Sequence, residues 1–504
     1  MTRVAIASQA ELPAIAGAAI ADAGGNAVDS ALAAVFASWV CEPGYTALGS
    51  GAFMTVWSPA DGAAPVCLDG FAEVPGRASA SMKDAGGEVI NIPYGVGVQT
   101  GVGAAAVATP GALLAAEKLW QRWGKIPWSV LFEPAIDLAS GGFAISESVH
   151  TYYEAGAYII FSQTPDAHRI CMNESGDIHP VGTLIKMPDL AASFELIADE
   201  GAQALYEGDL GKLIVDWMKN NGGLLSSEDL SMYEVGVRPC ETTKSGNWQL
   251  ATAPLPAIGG EALRSLIVEL NKSPHSEFDS KGVAYFAQAM KDVFSKRDAL
   301  LYGRGQPGAD LSEDRPISES SSTSHVSAVD SDGLGVSITS SCGYSAGVIV
   351  PKTGILLNNM LGEQELNADP SKLKPGTRIM SNMSPVVARC EDGSVLALGS
   401  AGSQRIVSSL ARVWMARVLG DGDESQGIDE AVESARCHMR MRDDLPLLVY
   451  EPGVDVSEVQ CQTQAFESRH MYFGCVQAAQ RGVQGQLTAK ADPRRAGGVA
   501  VGGS

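Results

Sequence analysis

The sequence has little positive charge for its length. Its 504 residues include 36 lysines and arginines against 58 aspartates and glutamates, which gives a formal net charge of −22 at pH 7. Binding to nucleic acid or to an anionic membrane surface requires clustered basic side chains that neutralise phosphate groups. We therefore expect neither a nucleic acid nor a membrane as a partner.

Cysteine and histidine are also scarce. The nine cysteines run from Cys41 to Cys475 without close pairs, and the seven histidines do not cluster at metal-ligand spacings. Isolated cysteines are typical of reduced thiols in a cytoplasmic protein, and no zinc site is expected. The glycines of residues 95–103 lack the spacing of a dinucleotide-binding fingerprint. The sequence thus predicts no metal and no organic cofactor.

Long apolar runs are missing. The longest, residues 32–40, is far shorter than the about 20 residues that a membrane-spanning helix needs. The N-terminus leads directly into a short apolar stretch that does not resemble a secretory signal. With 45% hydrophobic and 19% charged residues, the composition predicts a globular chain, either of two or three domains or with one large two-layer core.

Residue patterns predict alternating layers of helix and sheet. Two alanine-rich helices are expected within residues 11–40, and a strand at residues 52–57. From Ser324 onward the chain is strongly β, with three hairpins that precede a helix at residues 404–419. This order of elements indicates an α+β architecture with helices outside the sheets.

Thr323 lies where two kinds of sequence meet. Residues 303–322 are rich in Gly, Pro, Asp, Glu and Ser, as in an exposed linker, and Thr323 precedes the first predicted strand of the β-rich part. If the chain is cut after Ser322, the new α-amino group has a pKa of about 8 and can activate the threonine hydroxyl as a nucleophile. An ordinary threonine after a domain linker is the alternative.

Two glycine-containing motifs are further candidates. Gly402 and Ser403 join a strand to the predicted helix, where two backbone N–H groups can stabilise an oxyanion; a tight turn that needs glycine is the alternative. Residues 343–347 match the G-x-S-x-G nucleophile elbow of serine hydrolases. That motif requires a helix after the serine, and β-type sequence follows here.

Landmark segments follow one another along nearly the whole chain. They are Gly24-Gly25-Asn26-Ala27-Val28-Asp29, Thr109-Pro110-Gly111, Pro134-Ala135-Ile136, Gly222-Gly223-Leu224, Glu228-Asp229-Leu230, Thr323-Ser324-His325, Gly354-Ile355-Leu356-Leu357-Asn358-Asn359 and Asp492-Pro493-Arg494-Arg495. In this order they resemble the γ-glutamyltransferase family, whose members are self-cleaving N-terminal-nucleophile hydrolases. The resemblance implies a four-layer αββα sandwich.

The resemblance also implies how the chain is divided and which residues carry the chemistry. Residues 1–322 correspond to the large subunit and residues 323–504 to the small catalytic subunit, which stay together as a heterodimer after cleavage between Ser322 and Thr323. Thr323 matches the family's nucleophile. Ser341 matches the threonine that forms a hydrogen bond with it.

Binding roles follow from the same resemblance. Gly402 and Ser403 match the paired glycines of the oxyanion hole, with a serine in place of the second glycine. Ser381 and Asn382 match a serine pair that holds the substrate carboxylate. Glu363 matches an acidic residue that receives the substrate's α-amino group.

The chain departs from the family where the γ-glutamyl group is recognised. Ala72 stands at the position of the arginine that pairs with the substrate's α-carboxylate, and alanine offers no bidentate partner. Gly343 and Met360 replace an asparagine and a glutamine that bind the α-amino group. Arg77 is the nearby residue that could substitute for the missing arginine.

The sequence therefore predicts a γ-glutamyltransferase-like amidohydrolase and acyltransferase that works through an acyl-enzyme, which passes its acyl group to water or to an amine. Glutathione or another γ-glutamyl amide is the first substrate hypothesis. An amide with a different acyl group is the second, because of Ala72. An unprocessed relative that binds small molecules without turnover is the third.

Overall fold

The computed structural model of the chain describes residues 2–59, 64–79, 81–92, 98–275, 277–303, 322–367, 369–419, 427–442 and 445–503. Of the predicted linker at residues 303–322, only Gly303, at the end of a helix, and Ser322 lie within these ranges. The proposed boundary between Ser322 and Thr323 is described on both sides.

Two large sheets organise the fold. One sheet has seven strands, in the spatial order Gly498–Gly502, Val4–Ser8, Ser324–Asp330, Gly335–Ser341, Gly51–Trp57, Val66–Gly70 and Gly236–Pro239. The other has six strands, in the order Leu487–Ala491, Cys475–Arg481, Val395–Ala401, Val386–Cys390, Trp248–Thr252 and Glu241–Ser245. Neighbouring strands of both sheets are antiparallel. Strands from both sides of the Ser322–Thr323 bond take part in each sheet.

The two sheets pack face to face over small side chains. Ala5 and Val329 of the seven-stranded sheet lie in one buried cluster with Ala397 and Ala479 of the six-stranded sheet. The hydroxyl of Ser337 crosses the gap and donates to the carbonyl oxygen of Leu398 at 3.0 Å. Small residues allow this close approach, and the hydroxyl satisfies a backbone group that water cannot reach.

Helices cover the outer face of each sheet. Glu11–Asp22 and Ala27–Cys41 pack on the seven-stranded sheet. Ile258–Leu270 and Arg405–Trp414 pack on the six-stranded sheet, and Ser280–Gly303 packs on Ile258–Leu270. The layers run helix, sheet, sheet, helix, so the predicted αββα sandwich is confirmed. It is a single layered core, the second of the two organisations that the composition allowed.

The helix Ala27–Cys41 shows how the sequence produces this packing. Asn26 caps it: its Oδ1 accepts from the N–H groups of Val28 and Asp29, while the Asp29 carboxylate accepts from the Asn26 N–H at 3.0 Å. Every residue of the helix is buried, and its many alanines let it lie close to the sheet.

The other elements surround this core. Short strands form four small sheets, Glu88–Ile92 with Val98–Val102, Phe143–Ala144 with Leu184–Ile185, Ile349–Val350 with Ile355–Leu356, and Cys437–Arg442 with Leu445–Tyr450 and Gln462–Ala465. The remaining α-helices are Ala112–Trp123, Glu133–Gly141, Glu147–Tyr152, Tyr158–Ile160, Pro165–Cys171, Pro188–Glu200, Gln203–Tyr206, Asp209–Asn220, Ser227–Ser231 and Gly427–Glu433. Among the helices of the described ranges, none has the length and apolar character needed to cross a membrane.

Two predicted elements differ from those observed. The helix predicted at residues 404–419 is an α-helix only over Arg405–Trp414 and continues as a π-helix over Met415–Leu419. The return strand of the first β-rich hairpin, which the sequence pattern predicts over residues 335–339, extends to Ser341. Since Ser324 pairs with Ser340 in this hairpin, the antiparallel register carries Thr323 next to Ser341.

Candidate active site

A chain of hydroxyl contacts joins Thr323, Ser341 and Ser322. The hydroxyl of Thr323 donates to the Ser341 Oγ at 3.4 Å, and the Ser341 hydroxyl donates to the carbonyl oxygen of Ser322 at 2.6 Å. All three residues are at least nine-tenths buried. The Ser341 hydroxyl therefore contacts both the threonine side chain and the carbonyl of the peptide bond that precedes it.

The loop after Ser341 is held in place by buried polar groups. The Gly343 N–H donates to the Ser341 Oγ at 3.1 Å, and the Tyr344 N–H donates to the Asn359 Oδ1 at 2.7 Å. The Asn359 amide in turn donates to the Thr100 hydroxyl and the Gly101 carbonyl, both at 2.8 Å. Buried, fully bonded networks of this kind fix side-chain positions.

A carboxylic acid lies behind the strand that begins at Ser324. The Ser324 hydroxyl donates to the Glu42 carboxylate at 2.9 Å, and the Arg495 guanidinium donates to the Thr323 carbonyl at 3.4 Å. Burial raises the pKa of Glu42 to about 7, although the Ser324 hydrogen bond and the Arg495 charge act in the opposite direction. Arg495 also stacks on the ring of Tyr45, 4.8 Å from its centroid, which fixes the guanidinium.

His325 follows Thr323 closely in sequence but lies outside the site. Its ring is fully buried between the two sheets, with the Nδ1 2.8 Å from the Thr339 hydroxyl and the Nε2 2.9 Å from the Ser327 hydroxyl. Burial lowers the pKa of His325 to about 3, so the ring is neutral near pH 7. Its contacts are those of a core residue.

Thr323 lies at one wall of a pocket that is open to solvent. The pocket is lined by Phe71, Ser322, Thr323, Ser341, Tyr344, Glu363, Glu365, Leu366, Ser381, Asn382, Met383, Ser403 and Ile406. The pocket thus brings together all the predicted site residues except Gly402.

One wall of the pocket is acidic. The Glu365 carboxylate accepts from the Ser403 hydroxyl at 3.1 Å and from the Asn382 amide at 3.4 Å. Burial, together with the negative charge of Glu365, raises the pKa of Glu363 to about 8. Near pH 7 the Glu363 carboxyl group is therefore mostly protonated.

Gly402 and Ser403 form a turn just before the helix that starts at Arg405. Their carbonyl oxygens accept from the N–H groups of Arg405 and Ile406, at 2.9 and 3.2 Å. Both residues have positive φ angles, 143° at Gly402 and 50° at Ser403. The left-handed backbone at Ser403 is unusual for a residue with a side chain, and its hydrogen bonds to Glu365 stabilise it there.

The structure accounts for each departure from the family pattern. Ala72 is fully buried in an apolar cluster, and Met360 is buried in the same cluster. A side chain at Gly343 would place its Cβ 2.3 Å from the Asn359 Oδ1 and 3.2 Å from the Glu363 carboxyl carbon, so only glycine fits. Arg77 contacts Glu73 at 2.9 Å and Asp229 at 3.6 Å and is not part of the pocket lining. Arg77 as a substitute for the missing arginine is therefore wrong.

Sequence reasoning missed three residues near Thr323. Glu365 carried a signal, because it lies two positions after Glu363. Arg495 was noted only as part of a landmark segment. Glu42 carried no signal, since 282 residues separate it from its partner Ser324.

Within the described ranges, no three or more His, Cys, Asp and Glu side chains are grouped so that they could hold a metal ion. The nine cysteines, all of which lie in these ranges, form no disulfide bonds.

Comparison with known sequences places this arrangement in a family. The family profile described as Gamma-glutamyltranspeptidase matches residues 14–313 and 304–502. A protein of Pseudomonas aeruginosa called glutathione hydrolase proenzyme is 31% identical over 544 aligned residues, which cover 98% of this chain and 93% of that protein. The acylase ACY 1 proenzyme of Pseudomonas sp. strain SE83 is 30% identical over 463 residues, 84% of this chain and 80% of that protein.

Comparison with solved structures agrees on the fold. The cephalosporin acylase of Bacillus halodurans superposes with a TM-score of 0.78 over 99% of this chain and 96% of that one, at 23% identity. At this identity the likeness concerns the fold alone, and it supports the αββα architecture.

Proposed function

The chain belongs to the gamma-glutamyltranspeptidase family and is an enzyme of the N-terminal-nucleophile hydrolase type, and we propose that Thr323 is the nucleophile of this amidohydrolase and acyltransferase. The observation that carries the proposal is the hydroxyl chain from Thr323 through Ser341 to the Ser322 carbonyl. A nucleophile beside a polarised carbonyl is the arrangement that amide cleavage requires.

Self-cleavage is the first step of the proposal. The Thr323 Oγ attacks the Ser322 carbonyl carbon, and the Ser341 hydroxyl stabilises the oxyanion through its existing hydrogen bond. The carbon–nitrogen bond then breaks, and the threonine proton ends on the freed amino group of Thr323. Water hydrolyses the remaining ester, which leaves residues 1–322 and 323–504 as two fragments of one αββα core.

Turnover reuses the same atoms. The free α-amino group of Thr323 takes the proton of its own hydroxyl as the oxygen attacks the substrate's amide carbonyl. The Gly402–Ser403 turn, whose second residue lines the pocket, supplies backbone N–H groups for the oxyanion. The amine leaves with the transferred proton, and the threonine ester passes its acyl group to water or to an acceptor amine.

Two kinds of acyl group are candidates for the part of the substrate that Thr323 receives. Relatives called glutathione hydrolase proenzyme and acylase proenzyme support self-processing and the cleavage of small amides. A γ-glutamyl amide such as glutathione is the first candidate, with Ser381 and Asn382 at its carboxylate and Glu363 at its amino group. Ala72 favours the second, a different acyl group, because no arginine is available to hold an α-carboxylate.

Mass spectrometry of the purified protein tests the proposal. Incubation with an amide substrate and rapid acid quenching should give fragments 1–322 and 323–504, with an acyl adduct on the second fragment. Thr323→Ala should remain a single chain without an adduct. An intact wild-type chain that binds amides without any adduct would instead identify an unprocessed, non-catalytic relative. A cytoplasmic location stays a prediction, and detection of the protein in cell fractions tests it.

A further inference from the structure

The pocket beside Thr323 presents hydrogen-bond acceptors and carboxyl groups without a basic side chain. Glu363 and Glu365 both line it, and none of the described lining residues is a lysine, arginine or histidine. The Glu363 carboxyl group has neither a hydrogen-bond donor nor a cation as partner among the described side chains, and it lies beside Gly343, next to the Ser341–Thr323 contact. An unpaired carboxyl group in a pocket is a ready site for a cation.

A third acceptor lies in the same wall. Asn382 is 6% exposed, and its Oδ1 has no hydrogen-bond partner within the described part of the chain, while its amide nitrogen donates to Glu365. A buried carbonyl oxygen without a donor is costly unless a ligand supplies one. An ammonium group has three N–H donors, which suit the oxygens of Glu363, Glu365 and Asn382.

A substrate carboxylate would find few partners in this pocket. Glu365 already accepts from the Ser403 hydroxyl and from the Asn382 amide, so that hydroxyl and one of the two amide hydrogens are taken. Arg378 donates to the carbonyl of Phe71 behind the pocket wall, but it lies 3.4 Å from Asp69 and 3.3 Å from Glu73, whose charges compensate its own. The Ser381 hydroxyl and the second Asn382 amide hydrogen remain as neutral donors in this wall. Two neutral donors beside two carboxyl groups form a poor site for an anion.

We propose that the acyl pocket selects short acyl chains that carry an ammonium group and no carboxylate, with the ammonium held by Glu363, Glu365 and Asn382. The inference rests on the proposed function, because it specifies the acyl group that Thr323 receives. The bond changes are those of the proposed turnover, and the ammonium takes no part in them. The selected group resembles a γ-glutamyl group from which the α-carboxylate has been removed.

Four anilides that share the same leaving group, p-nitroaniline, test the proposal on the processed wild-type enzyme. The 4-aminobutyryl, γ-glutamyl, glutaryl and butyryl p-nitroanilides carry, in turn, the ammonium alone, both charges, the carboxylate alone and neither charge. We expect the highest kcat/KM for the 4-aminobutyryl substrate, about 100-fold above the glutaryl one, because like charges in a desolvated site repel strongly. A higher value for the γ-glutamyl or glutaryl substrate would overturn the proposal.

Variants that lack one carboxylate test which residues select the ammonium group. At pH 9, where Glu363 is ionised, Glu363→Gln and Glu365→Gln should each lower the 4-aminobutyryl to butyryl ratio of kcat/KM by about 10-fold, the effect of losing one charged hydrogen bond. Glu458→Gln changes an exposed glutamate elsewhere in the small fragment and should leave this ratio unchanged. Unaltered ratios in both pocket variants would also contradict the proposal. If a variant does not fold, the four anilides measured on the wild-type enzyme decide the question.

The experiment separates failure of this inference from failure of the proposed function. Turnover of the anilides with a preference for a carboxylate would reject the acyl selection and retain Thr323 as the nucleophile. Absence of turnover with all four substrates, together with an uncut chain, would reject the proposed function itself.

Discussion

The Ser341 hydroxyl donates a hydrogen bond of 2.6 Å to the carbonyl oxygen of Ser322, the residue just before Thr323. The distance is at the short end for hydroxyl donors. Such a bond draws electron density from the carbonyl carbon toward its oxygen. In the proposed self-cleavage this polarisation would lower the barrier to attack on the Ser322–Thr323 peptide bond, with Ser341 as the donor to the oxyanion.

Removal of this hydroxyl should slow self-cleavage. Loss of one oxyanion donor typically costs about 100- to 1000-fold in rate, so Ser341→Ala should remain largely uncut when the wild type is fully processed. Ser341→Thr keeps a hydroxyl and should restore much of the rate. Ser340→Ala, which changes the neighbouring hydroxyl bound to Thr46 and Ser50, is the matched control. Time courses on denaturing gels measure all three, and wild-type cleavage in Ser341→Ala would contradict the role.

Substitutions at Thr323 should show that self-cleavage depends on its hydroxyl group. Thr323→Ala lacks the attacking oxygen and should stay a single chain, whereas Thr323→Ser retains an oxygen at the same position and should still be cut. N-terminal sequencing of the small fragment should begin at residue 323. A fragment that begins elsewhere, or cleavage of Thr323→Ala at an unchanged rate, would assign the nucleophile to another residue.

Contacts close to the hairpin could be predicted from the sequence, and contacts between loops could not. Thr323 meets Ser341 because they end adjacent strands of one hairpin, whose alternating residues and turn are visible in the sequence. The contact between Ser403 and Glu365 joins two loops 38 residues apart, where no periodic pattern constrains the distance. Family resemblance supplied Glu363 and Ser403, but not the contact that joins the Gly402–Ser403 turn to the acidic wall of the pocket.

The positions at which this chain departs from the family pattern show the same limit of prediction from sequence. The sequence reveals that Ala72 lacks a guanidinium, but not that Arg77 pairs with Glu73 and Asp229 instead of replacing it. The effect of Gly343 is likewise visible only in three dimensions, where Asn359 occupies the space of a side chain. Such outcomes depend on packing between segments distant in sequence.

The packing of His325 predicts a stability effect at Gly399. A Cβ at Gly399 would lie 2.1 Å from the His325 ring, which is fully buried and cannot move aside. Gly399→Ala should lower the free energy of unfolding by about 1–3 kcal/mol, the usual cost of overpacking, as measured by denaturant titration. Gly141→Ala is the control, because no atom lies within 4 Å of its added Cβ. Equal stability of the two variants would show that the sheets can separate at this point.

The burial of Glu42 predicts a pH dependence of stability. Its pKa rises from 4.5 to about 7 on folding, so the folded chain holds this proton more tightly than the unfolded one. The associated stability is present below pH 4.5 and is lost as the pH rises through about 7. Glu42→Gln should therefore reduce the decline of the unfolding free energy across this range, and Glu174→Gln, at an exposed site, should not. Identical profiles for wild type and Glu42→Gln would show that the carboxyl group is not protonated in the fold.

The charge of Glu363 predicts how acyl selection depends on pH. Glu363 titrates at about pH 8, and the groups around it are Glu365, the buried Cys342 thiol and the amino group of Thr323. After the proposed cleavage the Thr323 amino group would titrate in the same range, but it would serve every substrate, so its effect cancels in a ratio of two substrates. The 4-aminobutyryl to butyryl ratio of kcat/KM should rise with pH through about 8, because only the ionised carboxylate attracts the ammonium.

The substrate sets the upper end of this pH range. Its ammonium loses its proton near pH 10, as a lysine side chain does, so the ratio should fall again there. Glu363→Gln has no titrating group at this position, and its ratio should stay flat and low between pH 6 and about 9. A flat ratio in the wild-type enzyme would show that Glu363 does not hold the ammonium. A rise that persists in Glu363→Gln would assign the titration to a group other than Glu363 and would contradict the prediction.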